Sequence, residues 1–266
     1  MSVGRWLAKG ATGHHDLRFL QRNERLRIAS DLVTKPLRHT ALPVLARSGK
    51  GLRLRTGPST LMRLAATIEA EAESAFVSLM KPGATVYDVG ASIGWFSLLA
   101  AREVGSNGTV CAFEPSVMYA SLIEANARSN RFANVSVIAA AVADHDGWAY
   151  FSADDLQGRL SDAGSSCVPV LSLDTWVATT GQPPPDVVKI DVEGAETRVL
   201  RGMSEIIRSR HPTLLIELHD TASEVAEALT EFGYNHRPLE FPCATHEAPR
   251  WAHVLATPVQ RDPSQR

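Results

Sequence analysis

The segment 87–96 constrains the fold of this chain more than any other stretch. An apolar run ends there in the carboxylate of Asp88, and Gly90 and Gly94 follow as an apolar helical pattern begins. This order predicts a buried strand, a tight turn and a helix N-terminus. Such a unit receives nucleotide-like ligands in doubly wound parallel sheets.

The acid at the strand end discriminates between two classes of nucleoside ligand. A dinucleotide places its pyrophosphate against backbone N–H groups, and a neighbouring carboxylate would repel it. S-adenosylmethionine has no phosphate and carries an ammonium and a sulfonium. The sequence therefore favours S-adenosylmethionine over NAD, with a cofactor site at Asp88, Gly90, Ala91, Ser92 and Gly94. A turn with a purely structural role is the alternative.

Length and composition are those of an ordinary globular enzyme. The chain has 266 residues, of which 44% are hydrophobic and 21% charged, enough for one large domain or a domain with an extension. It has no run of 18 or more apolar residues and no apolar signal-peptide core near Met1. Its three cysteines lack metal-ligand spacing, so we expect reduced thiols and a cytoplasmic location.

Charge is unevenly distributed although the net charge is only −2. Residues 1–60 hold twelve Lys and Arg against three acids, and the remainder holds fifteen against twenty-six. This asymmetry predicts a basic, partly helical extension over residues 1–60, a catalytic domain over 61–258 and a tail over 259–266. The extension could dock on the body of the protein, or meet an anionic substrate, a membrane surface or a partner subunit.

From residue 85 onward, predicted strands alternate with predicted helices. We expect strands at 85–89, 109–114, 135–141, 186–192 and 213–218, and helices at 61–79, 93–103, 116–129, 195–208 and 222–232. Two last strands, near 235–239 and 251–256, are joined by a loop too short for a crossover helix. The pattern predicts an α/β fold, and a sheet that ends in such a hairpin resembles that of class I methyltransferases. The predicted fold is Rossmann-like and doubly wound, with a mostly parallel seven-stranded sheet and an antiparallel C-terminal hairpin.

The next two strand ends carry residues suited to an adenosine. Glu114 ends the second strand, and a carboxylate there can accept hydrogen bonds from both ribose hydroxyls. Pro115 and Ser116 stiffen the exit and start the next helix. Ala141 and Val142 end the third strand, where small apolar side chains leave room for adenine. A surface carboxylate and ordinary core residues are the structural alternatives.

The fourth and fifth strands break the rule that central parallel strands are apolar on both faces. Lys189, Asp191 and Glu193 share one face by alternation, and Glu217 and His219 share a face of the next strand. Such breaks cluster at functional sites. We expect Asp191 and His219 at the rim of the site, with Lys189 able to pair with Glu217 behind it. A buried structural ion pair is the alternative for those last two.

Taken together, these segments resemble the FkbM family of S-adenosylmethionine-dependent methyltransferases over roughly residues 65–220. The motifs that carry the resemblance are Asp-Val-Gly-Ala-Ser-Ile-Gly-Trp-Phe-Ser from Asp88, Ala-Phe-Glu-Pro-Ser from Ala112, Ala-Val-Ala-Asp-His-Asp-Gly from Ala141, Leu-Asp-Thr from Leu173, Val-Lys-Ile-Asp-Val-Glu-Gly-Ala-Glu from Val188 and Leu-Ile-Glu-Leu-His from Leu215. Ser92 stands where the family more often has Asn. Glu69 falls within the spacing of a family Glu-Pro-Glu that here lacks its proline, which implies a cofactor contact.

The resemblance implies O-methylation of hydroxyls on sugars, glycolipids, polysaccharides or polyketide-type natural products. Some similar enzymes use a divalent cation such as Mg²⁺. Asp191, Glu193 and Glu217 could serve one, but their spacing is not a dedicated metal motif, and the metal ligands stay undetermined.

We assign the catalytic roles to His219 as base, to Asp191 as a residue that orients it, binds the acceptor hydroxyl or holds a cation, and to Lys189 beside them. We also expect Asp191 to contact the cofactor. Two alternatives remain open. One is an RNA methyltransferase that uses the basic segment, although residues 1–60 offer only Trp6 and Phe19 for base stacking. The other is a non-catalytic cofactor-binding protein. We expect a small-molecule or carbohydrate acceptor rather than nucleic acid, and homo-oligomerisation stays open.

Overall fold

The structure is a computed structural model that describes residues 40–45, 47–55, 70–154, 157–161 and 166–259. Its helices are α1 (Ala70–Leu79), α2 (Trp95–Val104), α3 (Val117–Ser129), α4 (Leu173–Thr180), α5 (Glu196–Gly202), α6 (Ser204–Arg210) and α7 (Ala222–Glu231). Its strands are β1 (Ala41–Pro43), β2 (Arg53–Arg55), β3 (Thr85–Val89), β4 (Thr109–Phe113), β5 (Val135–Ile138), β6 (Ala141–Val142), β7 (Gly147–Asp154), β8 (Gln157–Ser161), β9 (Ser166–Leu171), β10 (Val187–Ile190), β11 (Thr213–Glu217), β12 (Tyr234–Pro238) and β13 (His253–Pro258). Short 3₁₀ turns cover Arg47–Gly49 and Thr245–Glu247.

The principal sheet has seven strands within the described residues, in the order β12-β13-β11-β10-β3-β4-β5. The five strands from β11 to β5 are parallel, and β13 runs antiparallel between β11 and β12. This confirms the predicted doubly wound sheet with an antiparallel C-terminal hairpin. Because β12 is antiparallel to β13, it points the same way as β11, so both strands end at the same edge of the sheet.

Each face of this sheet has its own apolar core, as alternating side chains require. Tyr87 and Leu214 pack with the helices on one face, whereas Val86 and Leu215 pack with those on the other. All five residues of β3 and all four of β10 are buried. The polar side chains of these two strands therefore lie in the middle of the molecule.

A hairpin from the predicted N-terminal extension packs on the body of the domain. The β2 backbone N–H groups of Arg53 and Arg55 donate to the side-chain oxygens of Asn130 and Asn126, both at 2.7 Å. Leu54 is completely buried in the core on the α2 face of the sheet. This part of the basic segment is thus attached to the end of α3, while residues 1–39 of the predicted extension lie outside the described residues.

A second sheet, in the order β6-β9-β7-β8, was not expected. The strand predicted over 135–141 ends at Ile138, and β6 leaves the principal sheet to pair with β9. Alternation along β7 explains the small sheet, since Phe151 is buried while Trp148 and Tyr150 are 70% and 51% exposed. Residues 148–151 therefore form part of a half-buried strand.

The helix predicted over 195–208 is two helices. Met203 leaves the helical region with φ −125° and ψ 24°, between α5 and α6. Gly202 packs against the backbone of Ala143 so closely that a Cβ at residue 202 would lie 1.9 Å from the Ala143 carbonyl oxygen. The close approach of these two segments accompanies the break. Of the helices in the described ranges, none is both long and apolar enough to cross a membrane.

Candidate active site

The predicted site residues converge at the carboxyl ends of the parallel strands. The sheet register aligns Asp88 of β3 with Lys189 of β10, and Ile190 with Ile216 of β11. Ligands of open parallel sheets bind outside this edge. The residues that follow Ile190 and Ile216 along the chain therefore face a common site.

The glycine turn after β3 lies against the end of β10. Gly90 has φ +80°, and a Cβ there would lie 1.8 Å from the carbonyl oxygen of Asp191. Gly94 has φ +83° and caps the N-terminus of α2. Ser92, a non-glycine residue, also has a left-handed backbone with φ 52°. Strained backbone of this kind is typical of ligand-binding turns, and here it presents main chain where a side chain would not fit.

Asp88 is completely buried beneath this turn. Its Oδ2 accepts a 2.6 Å hydrogen bond from the Ser97 hydroxyl, and its Oδ1 has no hydrogen-bond partner among the described residues. Burial raises the pKa of Asp88, while the charge of Lys189 opposes that rise. The sequence predicted direct contact between this carboxylate and a ligand. That contact stays a prediction, and in this structure the side chain has no exposed surface.

Glu114 connects the glycine turn to the start of α3. Its Oε2 accepts from the backbone N–H of Ser92 at 2.8 Å, and its Oε1 accepts from that of Ser116 at 2.9 Å. Burial raises the pKa of Glu114 to about 7, although these two N–H groups favour the carboxylate. Each carboxylate oxygen keeps a second lone pair, so Glu114 could still accept hydrogen bonds from ribose hydroxyls. Pro115 is the residue between Glu114 and Ser116, whose N–H group binds Glu114.

The remaining predicted cofactor residues have different positions. Ala91 is buried in the turn, with its N–H bonded to the carbonyl of Phe113 at 3.0 Å. Ala141 and Val142 form β6 and are 6% and 3% exposed. Their proposed contact with adenine stays a prediction. Glu69 lies outside the described residues.

His219 is held from behind by a residue that the sequence analysis missed. The Glu196 carboxylate lies 2.8 Å from His219 Nδ1 and is itself completely buried. Glu196 also accepts from the N–H of Gly194 at 3.0 Å and from the hydroxyl of Thr221 at 2.9 Å. With both oxygens occupied, Glu196 fixes the imidazole so that Nε2 faces the site.

Three carboxylates surround that Nε2 atom. The nearest oxygens of Glu193, Asp191 and Glu217 lie 3.4, 3.7 and 3.7 Å away. Burial alone would lower the pKa of His219, but the bond to Glu196 and the nearby negative charges raise it to about 9. The predicted role of Asp191 in orienting His219 stays a prediction, and the structure adds Glu196 on the imidazole nitrogen that faces away from the site. Glu196 occupies that place because the turn at Gly194 brings the start of α5 back beneath β11.

Lys189 pairs with Asp191 at the end of β10. The Nζ–Oδ2 distance is 3.0 Å, and the lysine is almost fully buried with its Nζ 4.6 Å from the centre of the Phe96 ring. Burial opposes ionisation of Asp191, but Lys189 and His219 hold its pKa well below the usual range. The register aligns Lys189 with Leu215, two positions before its expected partner Glu217. Asp191 is thus kept ionised at the rim.

Asp191, Glu217 and His219 form a group that could hold a metal ion. One ligand atom from each lies within 4.8 Å of the others. Carboxylate oxygens suit Mg²⁺ and Mn²⁺, and an added imidazole nitrogen also suits Zn²⁺ or iron. The ligand set thus differs from the three carboxylates weighed from the sequence, because His219 replaces Glu193.

His253 and Glu240 extend the cluster and were also missed. His253 Nε2 lies 3.5 Å from Glu217, and its Nδ1 lies 2.7 Å from Glu240. Glu240 also accepts from the backbone N–H of His253 at 3.0 Å. The available sequence signal was a histidine inside the apolar strand β13. Its partners depend on the path of the loop between β12 and β13.

The strand order, the glycine turn and the acidic strand ends define a class I S-adenosylmethionine-dependent methyltransferase. Residues 88–236 match the family model described as the methyltransferase FkbM domain. The chain therefore belongs to the FkbM methyltransferase family, as its motifs predicted.

Two curated proteins are similar to the chain. The 31-O-demethyl-FK506 methyltransferase FkbM of Streptomyces tacrolimicus is 28% identical over 186 residues, which cover 56% of this chain and 71% of that protein. The hexuronic acid methyltransferase AglP of Haloferax volcanii is 38% identical over 61 residues, which cover 23% of this chain and 25% of that protein.

Solved structures with a similar fold include a methyltransferase FkbM from Methylobacillus flagellatus. It is 17% identical with a TM-score of 0.48, and the match covers 86% of this chain and 59% of that one. An S-adenosylmethionine-dependent O-methyltransferase from Thermotoga maritima is 15% identical with a TM-score of 0.47, over 79% of this chain and 74% of that one.

Proposed function

We propose that this methyltransferase transfers the methyl group of S-adenosylmethionine to a hydroxyl of a sugar, glycolipid, polysaccharide or polyketide-type acceptor. The observation that carries the proposal is His219, fixed by Glu196 and aimed at three carboxylates on the ligand-binding edge. A hydroxyl needs a proton acceptor at this edge, and the cluster supplies one. The names of both curated relatives, which specify 31-O-demethyl-FK506 and a hexuronic acid, support the same acceptor chemistry.

The residues around the glycine turn fit the cofactor. The turn from Gly90 to Gly94 exposes main chain beside β10, and Glu114 offers lone pairs. Beneath them, the buried Asp88 Oδ1 has no hydrogen-bond partner among the described residues. The negative charge below the turn favours an ammonium and a sulfonium over a pyrophosphate. When bound, S-adenosylmethionine supplies a methyl group already activated on sulfur. The chain then has to align the acceptor, which can contribute roughly 7–11 kcal/mol to lowering the barrier.

Proton removal is assigned to His219. Its pKa of about 9 means that the ring holds a proton at neutral pH when the surrounding carboxylates are its only neighbours. Positive charge placed beside Nε2 lowers that pKa, and the neutral ring then accepts the hydroxyl proton. Asp191, held ionised by Lys189, would orient the acceptor by accepting from a neighbouring hydroxyl, because the reacting O–H has one proton and gives it to His219. General base assistance of this kind contributes roughly 10²–10⁴-fold.

A divalent cation such as Mg²⁺ is part of the proposal. Asp191 and Glu217 would hold it through carboxylate oxygens, which suit such an ion, and His219 would keep its Nε2 lone pair for the hydroxyl proton. A bound cation supplies positive charge that favours the ionised form of a nearby hydroxyl. The positive charge of the cation would offset the negative charges of the Asp191 and Glu217 carboxylates.

The test begins with calorimetry of S-adenosylhomocysteine, followed by incubation of the protein with labelled cofactor and cell extract, with and without chelator. We expect micromolar product binding, label in a hydroxylated small molecule or glycan, and loss of label in chelator that Mg²⁺ restores. Tight NADH binding without binding of S-adenosylhomocysteine would overturn the cofactor assignment. Label appearing in RNA would overturn the acceptor assignment, and full activity in chelator would remove the cation.

A further inference from the structure

A cavity opens beside the active site at the end of β12. It has a volume of about 660 Å³ and is bounded by residues 237–244 and Glu247. Pro238 pairs with Val254, which also pairs with Ile216 of β11. These three residues lie in one row across the sheet, so the loop that follows Pro238 lies at the same edge as His219. The cavity is a depression open to solvent, lined by the connection that follows β12.

The cavity wall connects directly to the catalytic cluster. Glu240 lines the cavity and binds His253 at 2.7 Å through Oε1, and His253 lies 3.5 Å from Glu217. Glu217 in turn lies 3.7 Å from His219 Nε2. The wall is therefore linked to the proposed base through a continuous chain of side chains. This continuity distinguishes the cavity from an unrelated surface groove.

The chemistry of the wall indicates what it would bind. Among its described lining residues, Arg237 supplies one positive charge, and Glu240 and Glu247 supply two negative charges. The neighbouring cluster adds more negative charge. A phosphorylated ligand or nucleic acid would meet net negative charge here. Phe241 and Pro242 contribute apolar surface, and apolar walls with a few polar groups suit an uncharged ring.

We propose that this cavity is the acceptor subsite and that it takes a neutral, polyhydroxylated ring with an apolar face, of the glycoside type. The proposal rests on the proposed function, because it places the methylated hydroxyl of that ring toward the His219 cluster. Arg237 and Glu247 would hydrogen-bond the peripheral hydroxyls. Glu240, whose oxygens both bind His253, would form the boundary between acceptor and base.

The experiment fills the cavity without touching the cluster. Ala244 is exposed and lines the cavity, so Ala244→Trp occludes it. The matched control is Ala133→Trp, because Ala133 is also exposed but precedes β5 at the opposite edge of the sheet. The probes are p-nitrophenyl β-D-glucopyranoside, which is neutral, and p-nitrophenyl β-D-glucuronide, which carries a carboxylate. Their dissociation constants are measured by saturation-transfer NMR on the full chain saturated with S-adenosylhomocysteine.

We expect the neutral glucoside to bind in the millimolar range, and to bind at least about fivefold more weakly in Ala244→Trp but unchanged in Ala133→Trp. Equal weakening in both variants, or failure of the glucoside to bind the wild-type protein, would overturn the subsite. Tighter binding of the glucuronide would overturn the neutral class. Calorimetry of S-adenosylhomocysteine distinguishes failure of the subsite from failure of the proposed function. If S-adenosylhomocysteine does not bind the wild-type protein, the proposed function itself is contradicted.

Discussion

The two halves of the ligand-binding edge are built in different ways. On the β3–β4 side, the carboxylates of Asp88 and Glu114 are bonded to hydroxyl and backbone N–H donors, and the turn depends on left-handed backbone at Gly90. On the β10–β11 side the backbone is also left-handed at Glu193 (φ 51°) and Asp220 (φ 65°), but charged side chains dominate. There the ionisable side chains around His219 contact one another directly.

The difference indicates a division of labour. Backbone N–H groups and a close main-chain approach select a ligand by shape, which suits a cofactor that is the same in every turnover. A cluster of interacting ionisable groups responds to protons and cations, which suits the chemical step. The comparison predicts that variants of one half disturb binding of the cofactor, and variants of the other half disturb turnover.

The largest expected effect is on the charged half. His219→Ala removes the proposed base and should lower turnover by roughly 10²–10⁴-fold, with the affinity for S-adenosylhomocysteine nearly unchanged. The matched control is His211→Asn, because His211 precedes the same strand at the opposite edge and has a left-handed backbone that Asn tolerates. Single-turnover rates and calorimetry measure the two quantities. A near-wild-type rate in His219→Ala would contradict the assignment of the base.

The glycine turn provides the reciprocal test. Gly90→Ala places a Cβ 1.8 Å from the Asp191 carbonyl oxygen, so the turn has to move away from β10. We expect S-adenosylhomocysteine to bind about 100-fold more weakly, which corresponds to about 3 kcal/mol. Gly181→Ala is the control, because Gly181 also has positive φ but a Cβ added there would meet no described atom within 4 Å. It should cost only about 1 kcal/mol of stability and leave binding intact. Equal binding losses in the two variants would refute a local role for Gly90.

The two halves also differ in how well the sequence predicted them. Asp88, Glu114, Asp191 and His219 stood out because each is a polar residue at the end of an apolar run. In a parallel sheet such positions lie at one edge, whatever the conformation of the connecting loops. The mostly parallel sheet and the antiparallel hairpin followed from the alternation of strands and helices, whereas the order of the strands was not predicted.

Contacts made across loops were beyond prediction. Glu196 begins a surface-type helix, where an acid is ordinary, and only the turn at Gly194 brings it under His219. His253 meets Glu240 through a long irregular connection whose path no period in the sequence encodes. Periodicity also could not show that β6 leaves the principal sheet after Ile138, because the choice of sheet depends on pairing with β9.

A smaller effect should appear in the pH dependence of stability. The pKa of His219 is raised from 6.5 to about 9 in the folded protein, so its contribution to stability is complete below pH 6.5 and is lost as pH rises through 9. Relative to His219→Gln, the ligand-free protein in chelator should lose about 3 kcal/mol of unfolding free energy over that range. Glu196→Gln should reduce this loss, since it removes the bonded charge. Urea unfolding at several pH values measures it, and a flat difference would contradict the cluster.

The smallest expected effect is a pH dependence of cofactor affinity on the β3–β4 side, caused by ionisation of Glu114. The pKa of Glu114 is raised to about 7 by burial, so the carboxylate ionises between pH 6 and pH 8. If the ionised form accepts the ribose hydroxyls, wild-type affinity for S-adenosylhomocysteine should rise about fivefold over that range, which corresponds to about 1 kcal/mol. Glu114→Gln should bind with a nearly constant, lower affinity, because an amide oxygen does not titrate. Glu124→Gln, an exposed change on the adjoining helix α3, should follow the wild-type curve.

An affinity that falls with pH in the wild-type protein would mean that the protonated carboxyl is the binding form. Glu114 would then act as a hydrogen-bond donor, and the contrast between a neutral, shape-selecting half and a charged, reactive half would become sharper.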